Sequence, residues 1–253
     1  MTQSFFWYEL MTSDPAAATG FYADVVGWRL QSFDDSGAYT VLNVGERGIG
    51  GIMGLPPDAP GLPPCWVGYV HSRDVDADAQ SVKDGGGSIH RAPADIPGVG
   101  RFAVLADPGG AMFMMLQPSS EGDMPPLANE APGNVGWREL YAADGGQAVD
   151  FYGRQFGWKQ VDAMDMGAMG QYRLCSMDDT GLAIGAMMDK PAQMPQPAWA
   201  FYFNVPSIDA AVEKVKSGGG QVIMGPHEVP GGSWIVNALD PQGAHFALVA
   251  PTR

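Results

Sequence analysis

Two glutamates, Glu9 and Glu139, hold the same place in two copies of a short segment, Trp7-Tyr8-Glu9-Leu10 and Trp137-Arg138-Glu139-Leu140. In an extended strand, residues two apart point to the same side, so each glutamate shares a face with the tryptophan before it. A carboxylate in such apolar company is partly desolvated, which raises its pKa and fits it to accept a proton from a substrate or to bind a ligand amine. Both are candidate proton-transfer bases; the competing role is a structural carboxylate held by backbone donors or an arginine. His71, in phase with Val67 and Tyr69, and His245, in phase with Ala247, are candidate acids, bases or ligand contacts. Each occurs in one copy only, which equally suits a histidine at a rim or in a structural hydrogen bond.

Other side chains offer contact area and orientation. Tyr39 and Tyr172 open matching strands, where a hydroxyl can orient a ligand. Trp66 and Trp199 offer either core platforms or stacking surfaces, and Met112 and Met114 either core filler or adaptable lining. Nothing points to nucleophilic or phosphate chemistry. There is no G-x-S-x-G elbow, and Cys65 and Cys175 lie far apart with no CxxC pattern. The glycine runs 85–87 and 218–220 follow helices and are read as C-caps, not phosphate loops.

The elements that must position these residues come in duplicate. Asp14, Phe21-Tyr22 and Gly27-Trp28 recur as Asp144, Phe151-Tyr152 and Gly157-Trp158, at an offset of 130. Further on the offset is 133: Trp66 matches Trp199, Asp76 matches Asp209, and Asp107-Pro108 matches Asp240-Pro241. This order repeated twice marks a duplication. FFWYELMT alternates as a strand; Asp14 then sits at an N-cap with Pro15 at the first helical position, and the helix stops at Gly27. GAYTVLNV and GIGGIM are strand-like, as are QYRLCSM and LAIGAMM. CWVGYVHS is a strand, VDADAQSVKDGGG a short helix, and RFAVLADPGGAMFMMLQ two strands around a turn. The reading is α+β with four βαβββ modules. It divides into a domain at 1–118, a Pro/Gly-rich linker at 119–135 and a domain at 136–253. Whether modules pair within a copy or across copies is open.

With 253 residues and 45% hydrophobic content the chain can fill sizeable cores. A formal charge of -14 gives no footprint for phosphate backbones or anionic lipid, so neither nucleic acid nor membrane is expected as a partner. The N-terminus lacks the basic and apolar layout of a signal peptide, and the reading is cytoplasmic. A monomer is expected, with a dimer as the alternative.

The D-x₆-FY helix entry ending in Gly-Trp, the V-D-A helix capped by glycines and the D-P-x-G turn, each present twice, resemble the glyoxalase/bleomycin resistance/dioxygenase superfamily, the vicinal oxygen chelate fold, in its tandem two-domain form. The resemblance implies curved, incompletely closed β-barrels enclosing clefts. Metal-using members carry ligands at positions that map here to Trp7, Val67 and Met114 in the first copy and Trp137, Ala200 and Ala247 in the second. With those ligands missing, no metal or other cofactor is expected. The resemblance then implies a cleft holding a small, partly apolar organic ligand, as in resistance or sequestration; the alternative is a lyase or dioxygenase, metal-free with a glutamate base or with a rebuilt metal site. On this mapping Glu9 and Glu139 face the clefts.

Overall fold

The computed structural model describes residues 3–120 and 127–253. Four modules follow one another, each strand, helix and three strands. The first is β1 (Phe5–Thr12), α1 (Pro15–Val25), β2 (Arg29–Ser32), β3 (Tyr39–Val44) and β4 (Arg47–Gly54). The second is β5 (Cys65–His71), α2 (Val75–Asp84), β6 (Ser88–Ile96), β7 (Gly100–Ala106) and β8 (Met112–Pro118). The third is β9 (Val135–Ala142), α3 (Gly145–Phe156), β10 (Lys159–Asp165), β11 (Gln171–Ser176) and β12 (Gly185–Asp189), with a single 3₁₀ turn at Gly167–Met169. The fourth is β13 (Ala198–Asn204), α4 (Ile208–Ser217), β14 (Gln221–Glu228), β15 (Trp234–Leu239) and β16 (His245–Ala250).

The strands form two eight-stranded mixed sheets, ordered β2-β3-β4-β1-β5-β8-β7-β6 and β10-β11-β12-β9-β13-β16-β15-β14. Neither closes on itself. Within each module the first and last strands are parallel, as β1 is to β4 and β13 to β16, because a helix crossover joins the first strand to the rest.

Local chemistry sets the helix ends. The Asp14 carboxylate accepts the Ala17 N–H at 3.0 Å and Pro15 needs no N–H partner at the first position; Asp144 caps α3 in the same way at 2.9 Å. Gly157 closes α3 at φ 77°, a conformation costly for other residues, while Gly85 and Gly218 cap α2 and α4. Ala18, Phe21, Tyr22 and Val25 form the buried stripe of α1, at the spacing of one helical face.

The chain packs into two compact units. One comprises Met1–Phe6, Val67–Asp123 and Arg138–Trp199, the other Trp7–Trp66, Met124–Trp137 and Ala200–Arg253. Modules thus pair in two ways: each eight-stranded sheet joins the two modules of one copy, while the second and third modules share a core, as do the first and fourth.

In the unit built from the first and fourth modules, fully buried Tyr22 lies against Phe21, Trp66 and Phe246, with ring centroids 5.1, 5.2 and 5.3 Å away. Its hydroxyl accepts the Trp66 Nε1–H at 2.9 Å and donates to Asp240 Oδ2 at 3.1 Å. The other unit repeats the device. Tyr152 stacks on Trp158 at 5.0 Å, accepts from Trp199 Nε1 at 3.1 Å and donates to Asp107 Oδ2 at 3.3 Å. Asp107 and Asp240 also accept the N–H groups of Ala111 and Ala244 in their own turns. The repeated Phe-Tyr, Trp and Asp-Pro motifs are thus one buried triad, assembled from two copies each time.

Residues 121–126, within the linker expected at 119–135, lie outside the described residues. Beyond them the chain is tied down: Asn204 Nδ2 donates to the Asn129 carbonyl at 2.7 Å, and the Gly133 N–H donates to the Asn204 carbonyl at 2.8 Å.

Candidate functional site

Along β1 the even positions Tyr8 and Leu10 are buried with Leu42 and Ile52 on the side that takes α1. The odd positions Trp7 and Glu9 therefore point to the other face. There the Tyr39 hydroxyl joins them, accepting the Trp7 Nε1–H at 3.0 Å and donating to Glu9 Oε2 at 2.9 Å. Glu9 is only 6% exposed, whereas Trp7 and Tyr39 are half-buried. Crowding, and then the Glu9 carboxylate, hold the Tyr39 phenol far above its ordinary pKa, so it remains a donor at any physiological pH. The same two causes, in the same order, push the Cys65 thiol up to about 11, which keeps it protonated and unreactive.

Two glycines make room for this array. Gly51 pairs with Glu9 across β1 and β4, and a Cβ there would sit 2.2 Å from the Tyr39 ring; one on Gly48 would press on the Trp7 indole at 3.2 Å. The array lies on the glycines, with backbone in place of side chains beneath both rings.

The second copy is looser. Glu139 is equally buried, but Tyr172 reaches its Oε2 only at 3.4 Å. Across from Glu139 stands Ala186, in the register position that Gly51 holds across from Glu9. Trp137 is half-buried on β9.

A third polar group lies on the half-sheet of the fourth module. His245 Nε2 is 2.9 Å from Asn237 Oδ1, and Asn237 Nδ2 is 3.5 Å from the Tyr202 hydroxyl. Crowding depresses the His245 pKa to about 4, so the imidazole is neutral at pH 7.

The remaining sequence candidates divide between core and margin. Trp66 and Trp199, offered by the sequence as core platforms or ligand stackers, are each 7% exposed and committed to the Tyr22 and Tyr152 cores. Tyr69 and Met114 are register neighbours on β5 and β8, 5% and 4% exposed. Met112 is half-buried at the start of β8. His71 is half-buried at the end of β5, its ring 5.5 Å from that of Phe6.

Sequence reasoning did not single out Gly48, Gly51, Asn237 or Tyr202. The detectable signal for Asn237 was a lone amide inside the apolar strand WIVNAL. For Gly51 there was none, because a glycine-rich strand does not reveal which ring lies across it.

The positions that the family resemblance assigns to metal ligands hold Trp, Val, Met and Ala, none of which offers a nitrogen or oxygen lone pair. Among the described residues no group of three or more His, Cys, Asp or Glu side chains is placed to hold a metal ion. This donor set does not fit a divalent ion. A cavity of about 500 Å³ lies elsewhere, between the Asp107-Pro108-Gly109 turn and the start of α3, and includes none of the polar arrays. No described helix is long and apolar enough to cross a membrane.

Known proteins share both sequence and fold with this chain. The family model of the Glyoxalase/Bleomycin resistance protein/Dioxygenase superfamily matches residues 4–115 and again 134–248. CFP32 of Mycobacterium tuberculosis (strain CDC 1551 / Oshkosh), provisionally named a glyoxylase, is 32% identical over 252 residues, covering 97% of this chain and 94% of the relative. The anthracycline biosynthesis protein DnrV of Streptomyces peucetius is 31% identical over 258 residues, 96% and 91% of the two chains. Among solved structures, the Mn(II)-bound glyoxalase of Novosphingobium aromaticivorans superposes with a TM-score of 0.68 at 18% identity, over 99% of this chain and 82% of that one. The 2,2',3-trihydroxybiphenyl 1,2-dioxygenase of Sphingomonas wittichii strain RW1 gives 0.70 at 15%, over 99% and 91%. With two family matches covering most of its length, and four modules of the same plan, the chain belongs to the glyoxalase/bleomycin resistance protein/dioxygenase superfamily.

Proposed function

We propose that this protein binds a small, partly apolar organic molecule on the Trp7–Glu9–Tyr39 face without a divalent metal, as a sequestering or resistance protein does. The observation that carries the reading is the Trp7–Tyr39–Glu9 hydrogen-bond array on a half-buried sheet face, combined with ligand positions that lack donors. A half-buried indole and phenol supply a platform for a planar ring, and the carboxylate fixes orientation by accepting a hydroxyl or amine hydrogen. The name of the Streptomyces relative points the same way, since anthracyclines are fused-ring aromatic compounds.

The name of the mycobacterial relative favours a second reading, a lyase; with the mapped ligand positions lacking donors, its proton-transfer base would be Glu9 or Glu139. The hydrogen bond from Tyr39 weakens it for Glu9, because a carboxylate that accepts a phenol hydrogen is a poorer base. At Glu139 the tyrosine contact is longer, 3.4 Å from Tyr172.

The test is titration of EDTA-treated protein with 1,4-dihydroxyanthraquinone, followed by its visible absorbance, in wild type, Trp7→Leu and Glu9→Gln. Saturable binding that either substitution weakens at least several-fold supports the proposal. Binding that appears only after a divalent ion is restored, with that ion lost in Glu9→Gln, refutes it.

A further inference from the structure

The cavity of about 500 Å³ at the start of α3 lies wholly inside the unit that the second and third modules share. Duplication gives it a match in the other unit, a cavity of about 360 Å³ bounded by α1, the end of α4 and Pro241. The smaller one shows what the plan of the fold leaves open by itself. Gly109 and Ala142 wall the larger cavity where the other unit has Gln242 and Thr12, so two smaller residues widen it.

Charge separates the two cavities further. The smaller holds one cation and one anion, and these are committed to each other: Lys214 Nζ is 3.6 Å from Asp24 Oδ1 and donates to the Asp24 carbonyl at 2.7 Å. Around the larger one, Gln147, Asp150 and Arg154 stand in place of Ala17, Gly20 and Asp24. Asp150 and Arg154 are one turn apart on α3 and both line the cavity. Among the described residues neither makes a hydrogen bond or an ion pair.

The other polar groups of the wall are engaged. Asp144 accepts the Gln147 N–H at 2.9 Å and its side-chain amide at 3.1 Å, and Asp189 accepts the Gly145 N–H at 2.7 Å, so these first-turn donors are already in use. Asp107 is held by Tyr152 and by the Ala111 N–H. That leaves one carboxylate and one guanidinium free, beside an apolar wall of Phe151, Pro108 and Ala148. The arrangement is complementary to a molecule that carries an ammonium, a carboxylate and an apolar body. The ammonium donates to Asp150, and the planar guanidinium takes the carboxylate in a two-pronged contact.

We infer that this cavity is a second binding site, separate from the Trp7–Glu9–Tyr39 array, for a small zwitterion: an α-amino acid with an apolar side chain, its carboxylate on Arg154 and its ammonium on Asp150. The inference does not rest on the function proposed for that array.

The experiment titrates the ¹⁵N-labelled full chain at pH 7 with L-phenylalanine, with 3-phenylpropionate, which lacks the ammonium, and with 2-phenylethylamine, which lacks the carboxylate. Backbone amide resonances of Gly109, Ala143 and Ala148 report on the cavity. The expected result is saturable shifts at these amides with L-phenylalanine, and binding of either partial ligand weaker by about fivefold or more. Arg154→Gln should weaken L-phenylalanine by about fivefold and leave 2-phenylethylamine unchanged, whereas Asp150→Asn should weaken it similarly and leave 3-phenylpropionate unchanged. Both positions are exposed on a helix, so both variants keep the fold. Gly109→Gln, which installs the residue of the matching turn, should abolish the shifts. No saturable shift at the cavity, shifts confined to the Trp7 face, equal affinity for all three molecules, or losses that ignore which charge was removed would overturn the inference.

Discussion

Replacing Tyr22 by Phe removes a single oxygen from the middle of a core, and the structure fixes what that oxygen holds. Its loss leaves the Trp66 indole N–H without its acceptor, in a setting where Tyr22 is fully buried and Trp66 nearly so. It also removes one donor from Asp240, whose other carboxylate oxygen keeps the N–H groups of Gln242 and Ala244. An unsatisfied buried donor costs about 1–3 kcal/mol and the lost bond to the carboxylate about 1 kcal/mol more, so the expected destabilisation is about 2–4 kcal/mol. For a chain of this length that lowers Tm by roughly 5–15 °C. Thermal and urea unfolding followed by far-UV circular dichroism measure it. Tyr152→Phe removes the same device at longer distances, 3.1 and 3.3 Å against 2.9 and 3.1 Å, and should cost less. A loss below about 0.5 kcal/mol in Tyr22→Phe, or a larger loss in Tyr152→Phe, would refute the reasoning, because the triad would then be incidental to the aromatic packing.

Other outcomes follow from the same geometry. Gly51→Ala should drive the Tyr39 ring off Glu9 and weaken binding of 1,4-dihydroxyanthraquinone about as much as Tyr39→Phe does; a variant that binds like wild type shows that the glycine is not what seats the ring. His245 has a folded pKa of about 4 against about 6.5 when unfolded, so the unfolded chain takes up the proton first. Its contribution is complete above pH 6.5 and lost as pH falls from there toward 4, at most about 3 kcal/mol for a shift of this size. His245→Gln should flatten the fall in urea stability over that window, and an unchanged slope would contradict the burial assigned to the ring. Cys65, with its thiol pushed to about 11, should react with iodoacetamide at pH 8 far more slowly than free cysteine, and Glu9→Gln should speed the reaction. Protein dialysed against zinc, nickel, manganese and iron(II) and then freed of excess should retain none by elemental mass spectrometry; one ion per chain, lost in Glu9→Gln, would mean a rebuilt metal site.

Much of the scaffold is readable because its signals are local. Asp14 and Pro15 specify a helix start whatever surrounds them, and the modules follow from punctuation that recurs. The second strand of each module, β2, β6, β10 and β14, is harder to read. All four are edge strands with mostly exposed residues, such as KQVDAMD in β10, and lack the alternation of a buried face. The sharing of cores across copies was likewise hidden, because identical motifs fit either partner. Only the packed cores show that Tyr22 of the first copy meets Asp240 of the second.

Repetition itself separates support from recognition. A residue required by the fold should appear in both copies and make the same contacts, as Tyr22 and Tyr152 do with their tryptophan and aspartate partners. Trp66 and Trp199 pass that test as scaffold, although tryptophans in a cleft-forming family invite a binding role. Glu9 and Glu139 also recur, yet their contacts differ: one carboxylate is held by Tyr39 over Gly51, the other is approached loosely by Tyr172 over Ala186. Asn237 and His245 do not recur at all. With Val104 and Met112 at the matching positions of the first copy, the fold is built there without the Asn237–His245 hydrogen bond.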